Sequence, residues 1–446
     1  MSKNAQGARI YNLFPSLAGS IGDWYGHLDR VAAMGFDWLY INPFHYPGFS
    51  GSLYAVKDFY VLNPLFDNGS GQAPGKQIAD FTATAAEKGI SVMMDLVVNH
   101  TSKDSLLVDA HPDWFEHEDD GSLVSPGAID PADARKKTVW ADLAAIDFTE
   151  RPERDAIVTY FQGLVRHFAA LGIRGFRCDA AYKVPNDVWA PIIDAAREVR
   201  PDAVFVAENL GARLEEVDDM AGTGFDYLYN SAKWWDFRES WLLDQYERFR
   251  VVAPSVSFPE THDTVRLGAE FAADGISDRI AVERGYKQAY LFAAVFATGI
   301  LMPVGFEFGF QRKLNVVRTR PADWENPTFD LVSYITEVNA LKASEPVFNE
   351  EGPQTYENLG DGLFVCLTRR TSDGSRWALT VLNASLSLAT TARLEGLEID
   401  PADGREVTPG RKARKKPLAA GDVVTLPPGE IRVFVGENGA AASATG

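Results

Sequence analysis

The sequence predicts a parallel (β/α)8 barrel of the TIM type, with a small inserted subdomain after the third strand and a C-terminal all-β sandwich. Three observations carry this expectation. Short, continuously apolar segments alternate with amphipathic helical ones over the first three quarters of the 446 residues. The alternation breaks once, between about His100 and Glu150. After about Ala343 it gives way to short β-type runs separated by turn residues. Apolar strands separated by amphipathic helices indicate a parallel sheet covered by helices, and an alternation this long favours closure.

In chain order, Arg9–Phe14 reads as the first strand. Trp24, Leu28, Val31 and Ala32 follow at helical spacing, and Trp38–Ile41 is the next strand. Ser91–Val98 is a third, buried one. Ile157, Tyr160, Phe161, Leu164, Val165 and Phe168 mark one face of a helix ending near Gly172. Gly175–Asp179, Val204–Glu208, Asp226–Tyr229, Ser255–Phe258 and Leu301–Phe306 are the remaining barrel strands.

The expected parts are therefore 1–99 and 151–345 for the barrel, 100–150 for the insert, 346–437 for the β-sandwich and 438–446 for a frayed tail. The polar insert carries an acidic run, Glu116–Asp120, and Asp130-Pro-Ala-Asp133. Phe364–Thr368 with Arg376–Asn383, and Val423–Leu426 with Ile431–Val435, read as hairpins. The basic run Arg411–Lys416 is expected to be a solvated loop rather than an anion site.

The 62 acidic residues outnumber the 43 basic ones, giving a net charge of −19. That surplus opposes nucleic acid or an anionic membrane and suits a neutral partner such as a sugar. No apolar run is long enough to span a bilayer, and the first residues lack the apolar core of a signal peptide. A cytoplasmic location is expected. Cys178 and Cys366 are expected to be buried thiols rather than a disulfide.

Barrel enzymes work at the C-terminal ends of their strands, and acidic groups follow four apolar segments here. Asp95 leads into Leu-Val-Val-Asn99-His100; Asp179 ends Gly175-Phe-Arg177-Cys; Glu208 ends Val204-Phe-Val-Ala; Glu260-Thr-His262-Asp263 follows Ser255-Val-Ser-Phe258. Cleaving a glycosidic bond needs such a set. One carboxylic acid must protonate the leaving oxygen, and a carboxylate must trap the oxocarbenium-like centre from the opposite face. Neighbouring carboxylates raise at least one pKa and so supply the acid. Arg177, two residues before Asp179, projects from the same strand face, where its charge keeps Asp179 ionised.

These four segments resemble, in order, the four short motifs of the α-amylase family, glycoside hydrolase family 13. The resemblance runs from about Ala8 to Ala343. It implies a retaining enzyme acting on α-glucans or maltooligosaccharides through a covalent glycosyl-aspartate. Asp179 matches the nucleophile, Glu208 the acid/base and Asp263 the residue that supports the transition state. Tyr54-Ala-Val-Lys-Asp58 resembles the segment whose Tyr stacks under the cleaved sugar. Asp95, His100, Arg177, Lys183 and His262 match or adjoin substrate-binding positions. The resemblance also implies a structural Ca2+ between Asn99 and Asp142; no cofactor is otherwise required. The chain departs at Leu53 and Ala55, where the family often has Gly and Asp. It departs again at Tyr182 and Lys183, where starch-cleaving members have Lys and His. Asn42-Pro-Phe-His45, His111-Pro-Asp-Trp114-Phe and Arg320-Pro-Ala-Asp-Trp324-Glu are similar to segments of the family's bacterial maltosyltransferases.

Two alternatives stay open at this point. One is a non-catalytic glucan-binding relative. The other is an enzyme with a sugar-phosphate donor, suggested by Lys313, Arg318 and Arg320 after the last strand. For Trp234 and Trp235, stacking on sugar rings and core packing are equally consistent with the sequence.

Overall fold

The structure is a computed structural model that describes residues 7–130, 133–411 and 418–438. Eight parallel strands close into a barrel: β1 Arg9–Leu13, β2 Trp38–Ile41, β3 Ser91–Leu96, β4 Gly175–Cys178, β5 Val204–Ala207, β6 Tyr227–Tyr229, β7 Ser255–Ser257 and β8 Gly299–Pro303. Their order around the barrel is their order in the chain. Every residue of β4, β5 and β8 is buried, as expected of strands covered on both faces. The last strand lies two residues earlier than expected and ends at Pro303. Gly305 then turns in the left-handed region (φ +92), and Phe306 opens a short 3-10 turn instead of extending the strand.

Local chemistry explains the covering helices. Ile21–Ala33 starts at Ser20, whose backbone N–H donates to Asp23 Oδ2 at 2.9 Å. Ile21, Trp24, Leu28 and Val31 turn inward, and Trp24 meets Phe44, Phe66 and Phe81. Each such side chain contributes about 1.5–3 kcal/mol by leaving water. Glu153–Ala170 buries Ile157, Phe161, Leu164, Val165 and Phe168, while Tyr160 is half-buried. The insert contains two small antiparallel pairs, His100–Ser102 with Leu143–Ala145 and Gly127–Asp130 with Asp133–Val139.

The C-terminal region holds β9 Gln354–Leu359, β10 Phe364–Arg370, β11 Arg376–Asn383, β12 Thr390–Arg393, β13 Arg405–Glu406, β14 Val423–Leu426 and β15 Ile431–Glu437. One sheet runs β9-β10-β11-β15-β13, and β12 pairs with β14 in a second. Phe364, Trp377, Leu379, Leu394, Leu426 and Phe434 belong to one buried cluster. The expected β10–β11 hairpin is present. The second expected hairpin is not. Val423–Leu426 pairs with β12 and Ile431–Glu437 with β11, so the Pro427-Pro-Gly429 turn links two sheets. Proline lacks the N–H that ladder pairing needs, which suits a crossing between sheets. Residues 412–417 of the basic run and 439–446 of the tail lie outside the described residues, as do 131–132 of the insert.

By contacts the chain forms two compact units, one made of Ile10–Tyr229 with Leu314–Trp324 and the other of the remaining segments. The second unit joins Asn230–Lys313 to the C-terminal sheet, so the change of character near residue 345 is not the edge of a compact unit. Buried cations explain this. Lys342, fully buried, donates to the carbonyls of Ala294, Ala297 and Phe348 at 2.7–2.8 Å. Arg369 donates to the carbonyls of Phe296 and Glu350. Lys342→Met should leave three buried carbonyls without this donor and lower stability by about 3–5 kcal/mol. A urea midpoint equal to that of the parent protein would contradict this account.

Candidate active site

Parallel register brings the first charges together. Arg177 on β4 is the register partner of Asp95 on β3 and of Val206 on β5. Its Nη1 lies 2.9 Å from Asp95 Oδ1 and 2.5 Å from Asp179 Oδ1, and its Nη2 lies 3.9 Å from Glu208 Oε2. One buried guanidinium therefore faces three carboxylates. A surplus negative charge out of water is costly, which drives one carboxylate to hold a proton. Glu208, the farthest from the cation, is the group so placed.

Backbone geometry fixes Glu208. Oε2 accepts from the Ala180 N–H at 2.9 Å and Oε1 from the Leu210 N–H at 2.8 Å. Ala180 sits in the left-handed region (φ +40), unusual for a residue with a Cβ. This turn directs its N–H at Glu208. Both bonds favour the ionised form, and so does Arg177. Burial, helped by the charge of Asp179, outweighs them and raises the Glu208 pKa to about 7.

Asp95 is fully enclosed. It accepts from the hydroxyls of Tyr40 at 2.5 Å and Tyr54 at 2.6 Å, and Asn42 Nδ2 lies 3.1 Å from both hydroxyls. Burial pushes its pKa up, against the opposing charge of Arg177. Its partners occupy it on every side shown, so Asp95, expected as a substrate-binding residue, is enclosed by Tyr40, Tyr54 and Arg177. Tyr54 is half-buried. His100 Nε2 lies 3.2 Å from the Tyr54 carbonyl. A carbonyl only accepts, so Nε2 carries the hydrogen and Nδ1 is an acceptor. Nδ1 is buried and has no partner among the described residues, and burial lowers the pKa of the ring. Lys183 donates to the Gly127 carbonyl and lies 5.5 Å from the Trp140 ring centre. Burial lowers its pKa, against the attraction of Asp179 and Glu208.

The expected Ca2+ pair does not fit one ion. Ile146 N–H donates to the Asn99 carbonyl, whereas Asp142 sits opposite Lys103 at the other end of the same ladder. Four residues of strand separate them by roughly 13 Å, too far for two short side chains to share an ion with oxygens about 2.4 Å away. Asn99 Oδ1 is itself buried and has no partner among the described residues.

His262 and Asp263 belong to the other compact unit. His262 is buried and its Nε2 lies 3.0 Å from Asp263 Oδ2, while the Asp263 side chain is 62% exposed. Glu260, in the same motif, is fully buried and accepts from Arg266 Nη1 and the Leu267 N–H, both at 2.7 Å. It is a structural anchor for the segment.

Residues 4–119 match the family model described as "Glycogen debranching enzyme, glucanotransferase domain". An α-1,4-glucan:maltose-1-phosphate maltosyltransferase of Burkholderia pseudomallei is 27% identical over 92% of this chain and 35% of its own length. One of Myxococcus xanthus is 24% identical over 86% of this chain and 60% of its own length. The chain thus spans between about a third and three fifths of these relatives. A Geobacillus thermoleovorans α-amylase solved with acarbose superposes with a TM-score of 0.75 at 18% identity, covering 97% of this chain and 99% of that one. A Lactobacillus plantarum α-amylase gives 0.71 at 21%, with the same coverage. The chain is similar in sequence to the maltosyltransferases and in fold to the α-amylases.

Sequence reasoning missed Tyr40 and Tyr229. Tyr229, the last residue of β6, is buried and hydrogen-bonded to Arg177. Tyr40 is the register partner of Met93, two residues before Asp95, so it shares that face. Strand-end position and inward parity were the available signals.

Asp179→Asn should shift the Glu208 pKa down from about 7, because a like charge is lost and Arg177 is less engaged. Carboxyl difference infrared titration reads this directly. A value that stays put or rises would refute the charge balance described here.

Proposed function

We propose that this chain is a retaining enzyme acting on α-glucosidic bonds, with Asp179 as nucleophile and Glu208 as acid/base. The observation that carries this reading is the buried guanidinium of Arg177 lying against both carboxylates, with Glu208 raised to about 7. Glu208 protonates the leaving oxygen while Asp179 attacks the anomeric carbon, and the glycosidic bond breaks. In the second half, the Glu208 carboxylate takes a proton from water or a sugar hydroxyl. The oxygen so activated attacks the anomeric carbon and releases Asp179. Asp263, with His262, is assigned to fixing the sugar hydroxyls through its motif. Tyr54 is assigned to stacking beneath the sugar. His100 Nδ1 suits a sugar hydroxyl as donor, because it is an unpartnered acceptor.

The substrate class proposed is a neutral α-glucan or maltooligosaccharide. A sugar-phosphate donor is a second reading, favoured by the names of the relatives and by the Lys183 ammonium, which feels the charges of Asp179 and Glu208. Arg320 supports it less, since its Nη1 donates to the Val317 and Thr319 carbonyls. A cytoplasmic location is proposed on the two buried free thiols, Cys178 and Cys366, which suit a reducing compartment. Among the described residues, no helix is long and apolar enough to cross a membrane.

Asp179→Asn should abolish turnover of every α-glycosyl donor, by at least about a thousandfold, because no covalent intermediate forms. Glu208→Gln should hurt maltooligosaccharides far more than α-maltosyl fluoride, whose leaving group needs little protonation. With maltooligosaccharides, the rate of the parent enzyme should fall as pH rises through about 7, where Glu208 loses its proton. Equal loss for both donors in Glu208→Gln would contradict the assignment. Failure of the parent protein to turn over either donor or maltose 1-phosphate would instead favour a non-catalytic glucan-binding protein.

A further inference from the structure

A directed chain of hydrogen bonds runs from the first barrel strand to the carboxylate cluster. Asn12 on β1 is the register partner of Tyr40 on β2. Its Nδ2 donates to the Tyr40 carbonyl at 3.2 Å and to Asn42 Oδ1 at 2.8 Å. Asn42 Nδ2 donates in turn to the hydroxyl oxygens of Tyr40 and Tyr54, both at 3.1 Å. Both hydroxyls donate to Asp95 Oδ2. Arg177 Nη1 adds a donor at 2.9 Å from Oδ1 and 3.2 Å from Oδ2. Asn12, Asn42 and Asp95 are fully buried, and the whole chain lies in one compact unit.

Every bond in this chain points the same way, and the chemistry of the groups fixes that direction. A tyrosine hydroxyl has one hydrogen. With that hydrogen on Asp95, its oxygen can only accept, so the Asn42 atom facing both oxygens is the amide nitrogen. Asn42 Oδ1 then faces Asn12 and requires a donor there. Turning the Asn12 amide over would set its oxygen against two acceptors, Asn42 Oδ1 and the Tyr40 carbonyl. In the orientation adopted, Asn12 Oδ1 is buried with no partner among the described residues. An unpartnered buried acceptor is unfavourable by about 1–3 kcal/mol. The fold tolerates it and keeps the donor aimed at Asn42.

The consequence falls on Asp95. Its hydrogen-bond partners here are all donors, so a proton on this carboxyl would find no acceptor among them. Asp179 lies against Arg177. Hydrogen-bond direction turns the shared proton away from Asp95, and the cation turns it away from Asp179, which leaves Glu208. We propose that Asn42 is a positioning residue that keeps this proton on Glu208 by pinning the Tyr40 and Tyr54 hydroxyl hydrogens to Asp95. The proposal rests on the acid/base reading of Glu208 above. Without the amide, a hydroxyl is free to turn and accept from a protonated Asp95. Arg177, released from Asp95, then favours the ionised form of Glu208. Other groups face these two carboxyls. Asp179 acts on both, Glu208 also interacts with Tyr182, Lys183 and Tyr229, and Asp95 with Cys178 and Tyr229. All of them are retained in the single substitutions tested at positions 42 and 40.

Carboxyl difference infrared titration locates the proton without turnover. In the parent protein a protonated-carboxyl band should titrate at about 7 and vanish in Glu208→Gln. Asn42→Leu keeps the volume and removes the amide. It should lower that midpoint by about half to one pH unit. Tyr40→Phe, which removes one hydroxyl, should lower it similarly. The basic limb of the maltooligosaccharide rate should move down in step. The two substitutions together should lower the midpoint by less than the sum of their separate effects, because Asn42 acts through the hydroxyls. A purely structural role for Asn42 would lower the unfolding temperature and leave the titration in place. A midpoint that stays at about 7 or rises in Asn42→Leu overturns the proposal, as do fully additive shifts or a parent band that survives Glu208→Gln. If Asn42→Leu does not fold, Tyr40→Phe decides, and an unmoved midpoint there overturns it equally. If the parent turns over no donor while the band shifts as described, the acid/base reading fails and the placement of the proton stands.

Discussion

The contact on which the site depends is the buried guanidinium of Arg177. It faces Asp95, Asp179 and Glu208 within 4 Å. The distances are graded: two carboxylates lie in direct contact, at 2.5 and 2.9 Å, and the third lies at 3.9 Å. Burial, helped by the charge of Asp179, raises the Glu208 pKa, and the more distant cation offsets it only in part. On the proposed assignment, the division into nucleophile and acid follows from burial together with the placement of one cation, not from any intrinsic difference between Asp and Glu. Tyr40, Tyr54, Asn42 and Tyr229 close the set by holding Asp95 or Arg177 in place. A loose guanidinium would blur the gradient, so this polar shell is as much part of the chemistry as the carboxylates.

Parallel pairing is the constraint that delivers these groups. Asp95 and Arg177 meet because β3 and β4 run in the same direction in a fixed register. Glu208 closes against the nucleophile turn because its N–H donates to the Cys178 carbonyl and its own carbonyl accepts from Ala181. The left-handed Ala180 is the local expense of that turn. In the other unit the C-terminal sheet has a comparable role. Asn358 and Tyr356 hold the loop bearing Trp234, and Lys342 and Arg369 fasten the end of the long helix Arg279–Phe296. The sheet thereby does for a rim loop what Arg177 does for the carboxylates.

Much of this was legible in the sequence. Strands covered on both faces are continuously apolar, and catalytic groups follow them directly, so Asp95, Asp179 and Glu208 stood out together with their strands. Arg177 followed from a spacing of two. Three-dimensional partners were harder to see. Tyr40 and Tyr229 lie 55 and 134 residues from Asp95 in sequence, and only register makes them neighbours. The Val423–Leu426 and Ile431–Val435 segments looked like a hairpin because a turn joins them, yet each pairs elsewhere. Asn99 and Asp142 resembled an ion-binding pair until the short ladder placed them at its opposite ends. The hairpin came from local pattern and the ion-binding pair from the family resemblance, and neither source carries long-range pairing.

The most direct measurement is identification of the residue that carries the glycosyl group. Glu208→Gln is mixed with α-maltosyl fluoride, quenched in acid and digested, and the peptides are weighed by mass spectrometry. Glu208→Gln should accumulate the intermediate because it lacks the base for the second step. The account predicts a maltosyl adduct on the peptide bearing Asp179, absent when Asp179 is also replaced by Asn. An adduct on another carboxylate, or free β-maltose released with no adduct, would contradict it.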